Sequence, residues 1–188
     1  MPQSKFQRAI YALLTVIITV HAYVFYSLYV LHGPDFMQWT GESSVLAAIN
    51  KMGGVMMFGT NLPIWTLVAV EFVLAYTLEM TVGSPLSFKL ACRKFDPRST
   101  HPVLFETAVV SATVGIMCPA MSFIAAWMYY PYMNGFSIFT LLANWLELMC
   151  YNFPFAWFSQ LLFIQPIVRV LFKNLFIKQI AAQHQTAA

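Results

Sequence analysis

The chain has 188 residues, of which 60% are hydrophobic, 16% aromatic and only 9% charged, against roughly a quarter charged in an ordinary soluble domain. With a mean hydropathy of +0.68, this excludes a soluble globular protein and points the apolar surface toward lipid. The formal charge of +3, from ten Lys+Arg against seven Asp+Glu, is too weak and too scattered for a nucleic-acid partner.

A crossing needs about 20 mostly apolar residues to cover roughly 30 Å of hydrocarbon, and four stretches supply them. The first, 9–31, begins after Lys5 and Arg8 and ends at His32-Gly33-Pro34. No small-residue processing site follows it, so it is expected to stay as a span. The next stretch, Val45 to Lys89, is too long for one straight crossing and contains Gly53, Gly54, Gly59 and Pro63. It predicts an outer helical segment over 43–60, a helix break at Asn61-Leu62-Pro63 and a crossing over 64–83. The third span, 104–130, contains Pro119, and the fourth, 136–168, contains Pro154; each proline frees a carbonyl that a neighbour or water must satisfy.

The basic residues orient these spans. Lys5 and Arg8, then Lys89, Arg93, Lys94 and Arg98, then Arg169, Lys173 and Lys178 all fall on one side, whereas the other connections carry Asp35 and Glu42. By the positive-inside rule both termini are cytoplasmic, as in a multi-pass protein of a bacterial inner membrane. Lys51 is the exception and is expected to snorkel to the outer interface.

Asn61-Leu62-Pro63-Ile64 pairs with Asn152-Phe153-Pro154-Phe155, and Pro85 to Phe95 pairs with Pro166 to Phe176. The fold class expected is therefore an all-α integral membrane protein of four transmembrane helices, built as two parallel two-helix repeats over 1–98 and 99–188. The opening Met1-Pro2-Gln3-Ser4-Lys5, the stretch Cys118-Pro119-Ala120-Met121-Ser122, and Asn152-Phe153-Pro154-Phe155-Ala156 followed by Gln160 and Pro166-Ile167-Val168-Arg169 resemble a duplicated bacterial membrane-protein family. That family is known as a domain of unknown function, number two thousand seven hundred and ninety-eight. The resemblance implies the duplicated fold and carries no activity. Arg98-Ser99-Thr100-His101-Pro102-Val103-Leu104-Phe105-Glu106 is also similar to the RxxHxxxFE motif of the proteobacterial antimicrobial compound efflux transporters, which implies a small four-span exporter.

Ionisable side chains cost roughly 2.5 to 3.5 kcal/mol each at the centre of a span, so each needs a reason. His21, Glu71 and Glu147 have depths compatible with one cluster, and Asn144, Glu147 and Tyr151 share a face of the fourth helix. A carboxylate facing an imidazole suits proton or substrate binding; polar glue between helices is the competing role. Glu79 and Glu106 lie nearer the cytoplasmic edge, within reach of Lys89, Arg93 or Arg98. Asn61 and Asn152 stand two residues before Pro63 and Pro154, where their amides can bond carbonyls freed by a helix break. With Pro119 these five are the hinge candidates.

No metal or cofactor is expected. Cys92, Cys118 and Cys150 lack metal-ligand spacing, and the Met52/Met56 and Met117/Met121 pairs read as core filler. Only His21 of the four histidines is clearly within a span, one axial ligand too few for a b-type haem. No GxSxG, Walker A, HExxH or dinucleotide fingerprint occurs, and the loops are too short for a soluble catalytic domain, which argues against an enzyme. The expectation is a proton-coupled transporter of a small apolar or cationic solute, oligomeric because four spans enclose too little volume for a solute path alone. A non-catalytic subunit or assembly factor of a larger membrane complex is the alternative.

Overall fold

The computed structural model describes residues 4–177. The opening Met1-Pro2-Gln3, Lys178 and His184 lie outside the described residues. Helix α1 (Lys5–Phe25) starts at Ser4, whose Oγ accepts from the Gln7 N–H at 3.0 Å while Gln7 Oε1 accepts from the Ser4 N–H at 3.4 Å. This reciprocal capping satisfies donors that a helix start leaves unpaired. A π-helical segment, Tyr26–Leu31, extends α1 toward two short helices, α2 (Gly33–Thr40) and α3 (Val45–Lys51). A hairpin of β1 (Val55–Met57) and β2 (Thr60–Leu62) follows, with Val55 opposite Leu62. The second long helix runs as α4 (Ile64–Leu78), a π-helical segment Glu79–Gly83, and α5 (Ser84–Cys92). Helix α6 (Pro102–Met128) is unbroken; the last long helix comprises α7 (Ile138–Ser159), a π-helical segment Gln160–Ile164 and α8 (Gln165–Leu175).

Four helices are thus long and apolar enough to cross a membrane: Lys5–Leu31, Ile64–Cys92, Pro102–Met128 and Ile138–Leu175. The shortest have 27 residues, about 40 Å at 1.5 Å per residue, so all exceed the hydrocarbon thickness. They alternate in direction. One end of the bundle holds the start of α1, the end of α8 and the α5–α6 connection; the other holds α2, α3 and the hairpin.

The outer segment departs from the expected helix over 43–60. Gly53 and Gly54 take φ of 75° and 122°, and Gly59 takes 78°, so the chain turns here twice. A Cβ on Gly54 would collide with the Leu62 backbone, which is why the hairpin can close only on glycine. Pro63 consequently begins a helix after a strand and interrupts none. Asn61 donates its Nδ2 to the Met52 carbonyl at 2.7 Å, inside this hairpin region. Asn152 lies in mid-helix and donates to Ser122 Oγ at 3.3 Å. The two asparagines therefore do different work: Asn61 bonds the carbonyl at the end of α3, whose C-cap is Met52, whereas Asn152 bonds no freed carbonyl but a side chain of α6.

Pro119 and Pro154 lie within α6 and α7, which continue past them. Pro85 and Pro166 have a different consequence. A proline removes a donor from the helix ladder, and in both cases the preceding turn has widened: Ser84 N–H bonds Glu79 O and Gln165 N–H bonds Gln160 O, five residues back. A π turn lets each helix pass its proline without stopping.

Packing follows every fourth residue. Ala12, Val16, Val20, Val24 and Leu28 are buried on the first helix, and Val110, Val114, Cys118, Ser122 and Ala126 on the third, the rows that form the i±4 ridges. α1 packs on α4 near the hairpin end and on α8 near the terminal end, while α6 packs on α7 and α5. Each odd-numbered long helix thus passes from one even-numbered neighbour to the other. The principal core joins Val20, Val24 and Leu28 to Val45, Ile49 and Leu67. It seats α3 over the hairpin end of the first two long helices.

Candidate functional site

The crossing of the helices leaves a cavity of about 2980 Å³ between all four, several times the 300–1,000 Å³ usual for a small-molecule site. Residues of all four long helices line this space, which is open along part of its length.

Three zones line it. At the terminal end are Lys5, Arg8, Glu106, Arg169 and Lys173. Glu106 accepts from Arg169 Nη2 at 2.6 Å, so its ion partner is on the fourth long helix and not Lys89, Arg93 or Arg98. In the middle, side chains cross-link the first and fourth helices. Tyr11 O–H donates to Gln165 Oε1 at 2.7 Å, Gln165 Nε2 donates to Gln160 Oε1 at 3.2 Å, and Gln160 Nε2 donates to Thr19 Oγ1 at 2.8 Å. Glu79 lies opposite in sequence terms and accepts from Ser84 O–H at 2.6 Å; among the described residues it has no ion partner. In the hairpin half, Glu71 accepts from Tyr129 O–H at 2.6 Å, which ties the second helix to the end of the third. The Tyr129 hydroxyl is the donor in this bond.

The zones agree in depth. Thr19 lies about 21 Å and Gln160 about 22 Å from the terminal ends of their helices, taking 1.5 Å per residue from Lys5 and Leu175, and they are hydrogen-bonded. The π turns before Pro85 and Pro166 each present a side-chain oxygen, of Glu79 or Gln160, to the residue just before the proline. π turns often mark functional sites, and both of these line the cavity.

Of the residues singled out in the sequence, Glu71, Glu147, Asn144, Tyr151, Asn152 and Asn61 line the cavity. His21 does not. It is exposed on the outer surface of α1, its Nδ1 2.7 Å from the Ile17 carbonyl, because the inward stripe of α1 passes through Val20 and Val24. The cavity therefore joins Glu71 and Glu147 without the imidazole. Glu147 and Tyr151 sit at its exposed edge. Sequence reasoning missed Tyr129, Thr19, Gln165 and Arg169 as inward groups. The available signal was the glutamate or glutamine six residues before Pro85 and Pro166.

Among the described residues, no group of three or more His, Cys, Asp or Glu side chains could hold a metal ion. Compared with family models, with curated proteins and with solved structures, the chain matches none.

Proposed function

We propose that the chain is an integral membrane carrier that takes a small apolar or cationic solute into its central cavity and exchanges it for protons. The observation that carries this reading is the cavity itself, open among four lipid-compatible helices and lined in its hairpin half by Glu71 and Glu147. A structural subunit needs no such space. Carboxyl groups in a water-poor setting are costly unless they have a task, and pairing with a solute cation or a proton is such a task.

The terminal end carries the basic residues and faces the cytoplasm of a bacterial inner membrane by the positive-inside rule. The duplication is supported by one common separation that links Glu79 to Gln160, Pro85 to Pro166, Ala75 to Ala156, Ser87 to Val168 and Ala91 to Phe172. The π segments of the second and fourth long helices start at the first pair, and the last three pairs are buried. At that same separation Glu71 stands where the second half has Asn152. At these two positions each half thus carries polar side chains two turns apart, acidic in the first half and amide in the second.

The test is uptake of ethidium, a lipophilic cation, into proteoliposomes under an imposed pH gradient. Wild-type protein drives uptake; Glu71→Gln and Glu147→Gln each reduce it at least tenfold while reconstituting equally well. Full uptake by both variants would remove the carboxyls from the mechanism. Uptake independent of the gradient would remove the coupling.

A further inference from the structure

The terminal zone of the cavity has a charge opposite to that of the hairpin half and suits a different ligand. Lys5 and Arg8 on α1 are three residues apart, Arg169 and Lys173 on α8 are four apart, and all four line the cavity, as neighbours on a helical face do. The two helices are held together here by the Tyr11–Gln165 hydrogen bond of 2.7 Å and by edge contacts of Tyr11 with Phe172 and Phe6 with Phe176. The carboxylate lining this end, Glu106, is already engaged by Arg169. Arg169 Nε is buried with no hydrogen-bond partner, a donor that costs free energy until an acceptor arrives. Counted along the helices, these cations fall within about 9 Å of their terminal ends, the depth of lipid headgroups. Beyond them the cavity continues past Val16, Val20, Val110 and Val114, an apolar run of the order of the 15 Å that one leaflet's hydrocarbon occupies.

We propose that this end of the cavity is a binding site for an anionic phospholipid, its phosphate held by Arg8, Arg169 and Lys173 and one acyl chain lying along the valine-lined wall. Arg169 serves two acceptors: its Nη2 stays on Glu106 and its Nε turns to the phosphate. Basic pockets between helices on the cytoplasmic side recognise such headgroups by charge. A lipid bound here braces the first and fourth helices where they are tied by Tyr11 and Gln165. The proposal rests on the membrane placement given above and is independent of transport.

The experiment measures retention of phosphatidylglycerol by the full chain in nanodiscs of phosphatidylcholine doped with the anionic lipid, read by native mass spectrometry. Arg8→Gln and Lys173→Gln are the informative variants, since neither side chain is in an ion pair among the described residues. Each is expected to weaken retention about fivefold, and the pair about thirtyfold, from the contribution of one cation near the surface. Arg8→Lys and Lys173→Arg restore it. Lys89→Gln and Arg93→Gln, which lie at the same end outside the cavity lining, leave retention unchanged. Equal losses from those two would reduce the effect to general surface attraction and overturn the site, as would equal retention of phosphatidylcholine. Displacement of the lipid by millimolar inorganic phosphate alone would overturn the lipid assignment in favour of a free anion. Extraction of the chain from membranes by alkaline wash tests the placement separately.

Discussion

Gly83 gives the sharpest test of how the helices approach one another. It closes the π segment of the second long helix with φ of −56°, an ordinary helical value that alanine adopts freely, so only space decides the outcome. A Cβ built there would lie 2.6 Å from Glu79 Oε2, 2.8 Å from Met117 Sδ and 3.2 Å from Glu79 Cδ. The Glu79 carboxyl would have to move from Ser84, and Met117 would have to move on α6. Overpacking of this size costs about 1–3 kcal/mol, against about 0.5–1 kcal/mol gained by replacing glycine in a helix. Because the crowded atoms are the ends of flexible side chains, Gly83→Ala is expected to destabilise by at most about 2.5 kcal/mol. Gly115, in α6, has nothing within 4 Å of a built Cβ, so Gly115→Ala is expected to stabilise by about 0.5–1 kcal/mol. Thermal unfolding in detergent, followed by tryptophan fluorescence, compares the two directly. In a Glu79→Ala background the Gly83→Ala penalty shrinks, because one of the crowded groups is gone. Shifts of the same sign in both glycine variants would refute the packing of the π turn against α6, and an unchanged penalty without the Glu79 carboxyl would remove that carboxyl from the crowding.

Leu141 is fully buried and packs with Ala126 and Tyr130; Leu141→Ala is expected to cost about 2–5 kcal/mol in the same unfolding assay, and a loss below 1 kcal/mol would contradict that core. The Glu106–Arg169 pair, 39% and 22% exposed at Arg169 and Glu106, lies between the surface and buried cases. A double-mutant cycle with Glu106→Gln and Arg169→Gln is expected to give a coupling on the order of 1 kcal/mol, falling with added salt; zero coupling would separate the two residues.

The long helices were legible because about 20 apolar residues between charges can do little else. What their inward faces carry was less legible. A sequence records that His21 and Glu71 lie within spans, but facing is decided by packing, and the four-residue stripe through Val16, Val20 and Val24 turns His21 outward. The hairpin was missed because three-residue strands are too short to show alternation, although Gly53, Gly54 and Gly59 mark both of its turns. The similarity between Asn61-Leu62-Pro63 and Asn152-Phe153-Pro154 misled: one segment is strand and helix start, the other is mid-helix. The Pro85 and Pro166 pairing was the more informative signal, since a proline inside a continuing helix forces a local widening, and both widenings face the cavity. The cavity was invisible to sequence, because it arises from how the helices cross.

Accessibility of that cavity from water tests the account most directly. On α7, Asn144 lines the cavity, whereas Leu146, half exposed, faces outward. Both lie about 9–12 Å below the start of the helix at Ile138, so depth does not separate them. With Cys92, Cys118 and Cys150 replaced by alanine, Asn144→Cys and Leu146→Cys are treated in membrane vesicles with a charged maleimide. The account predicts rapid labelling of Asn144→Cys and little of Leu146→Cys; equal labelling, or faster labelling of Leu146→Cys, would contradict it.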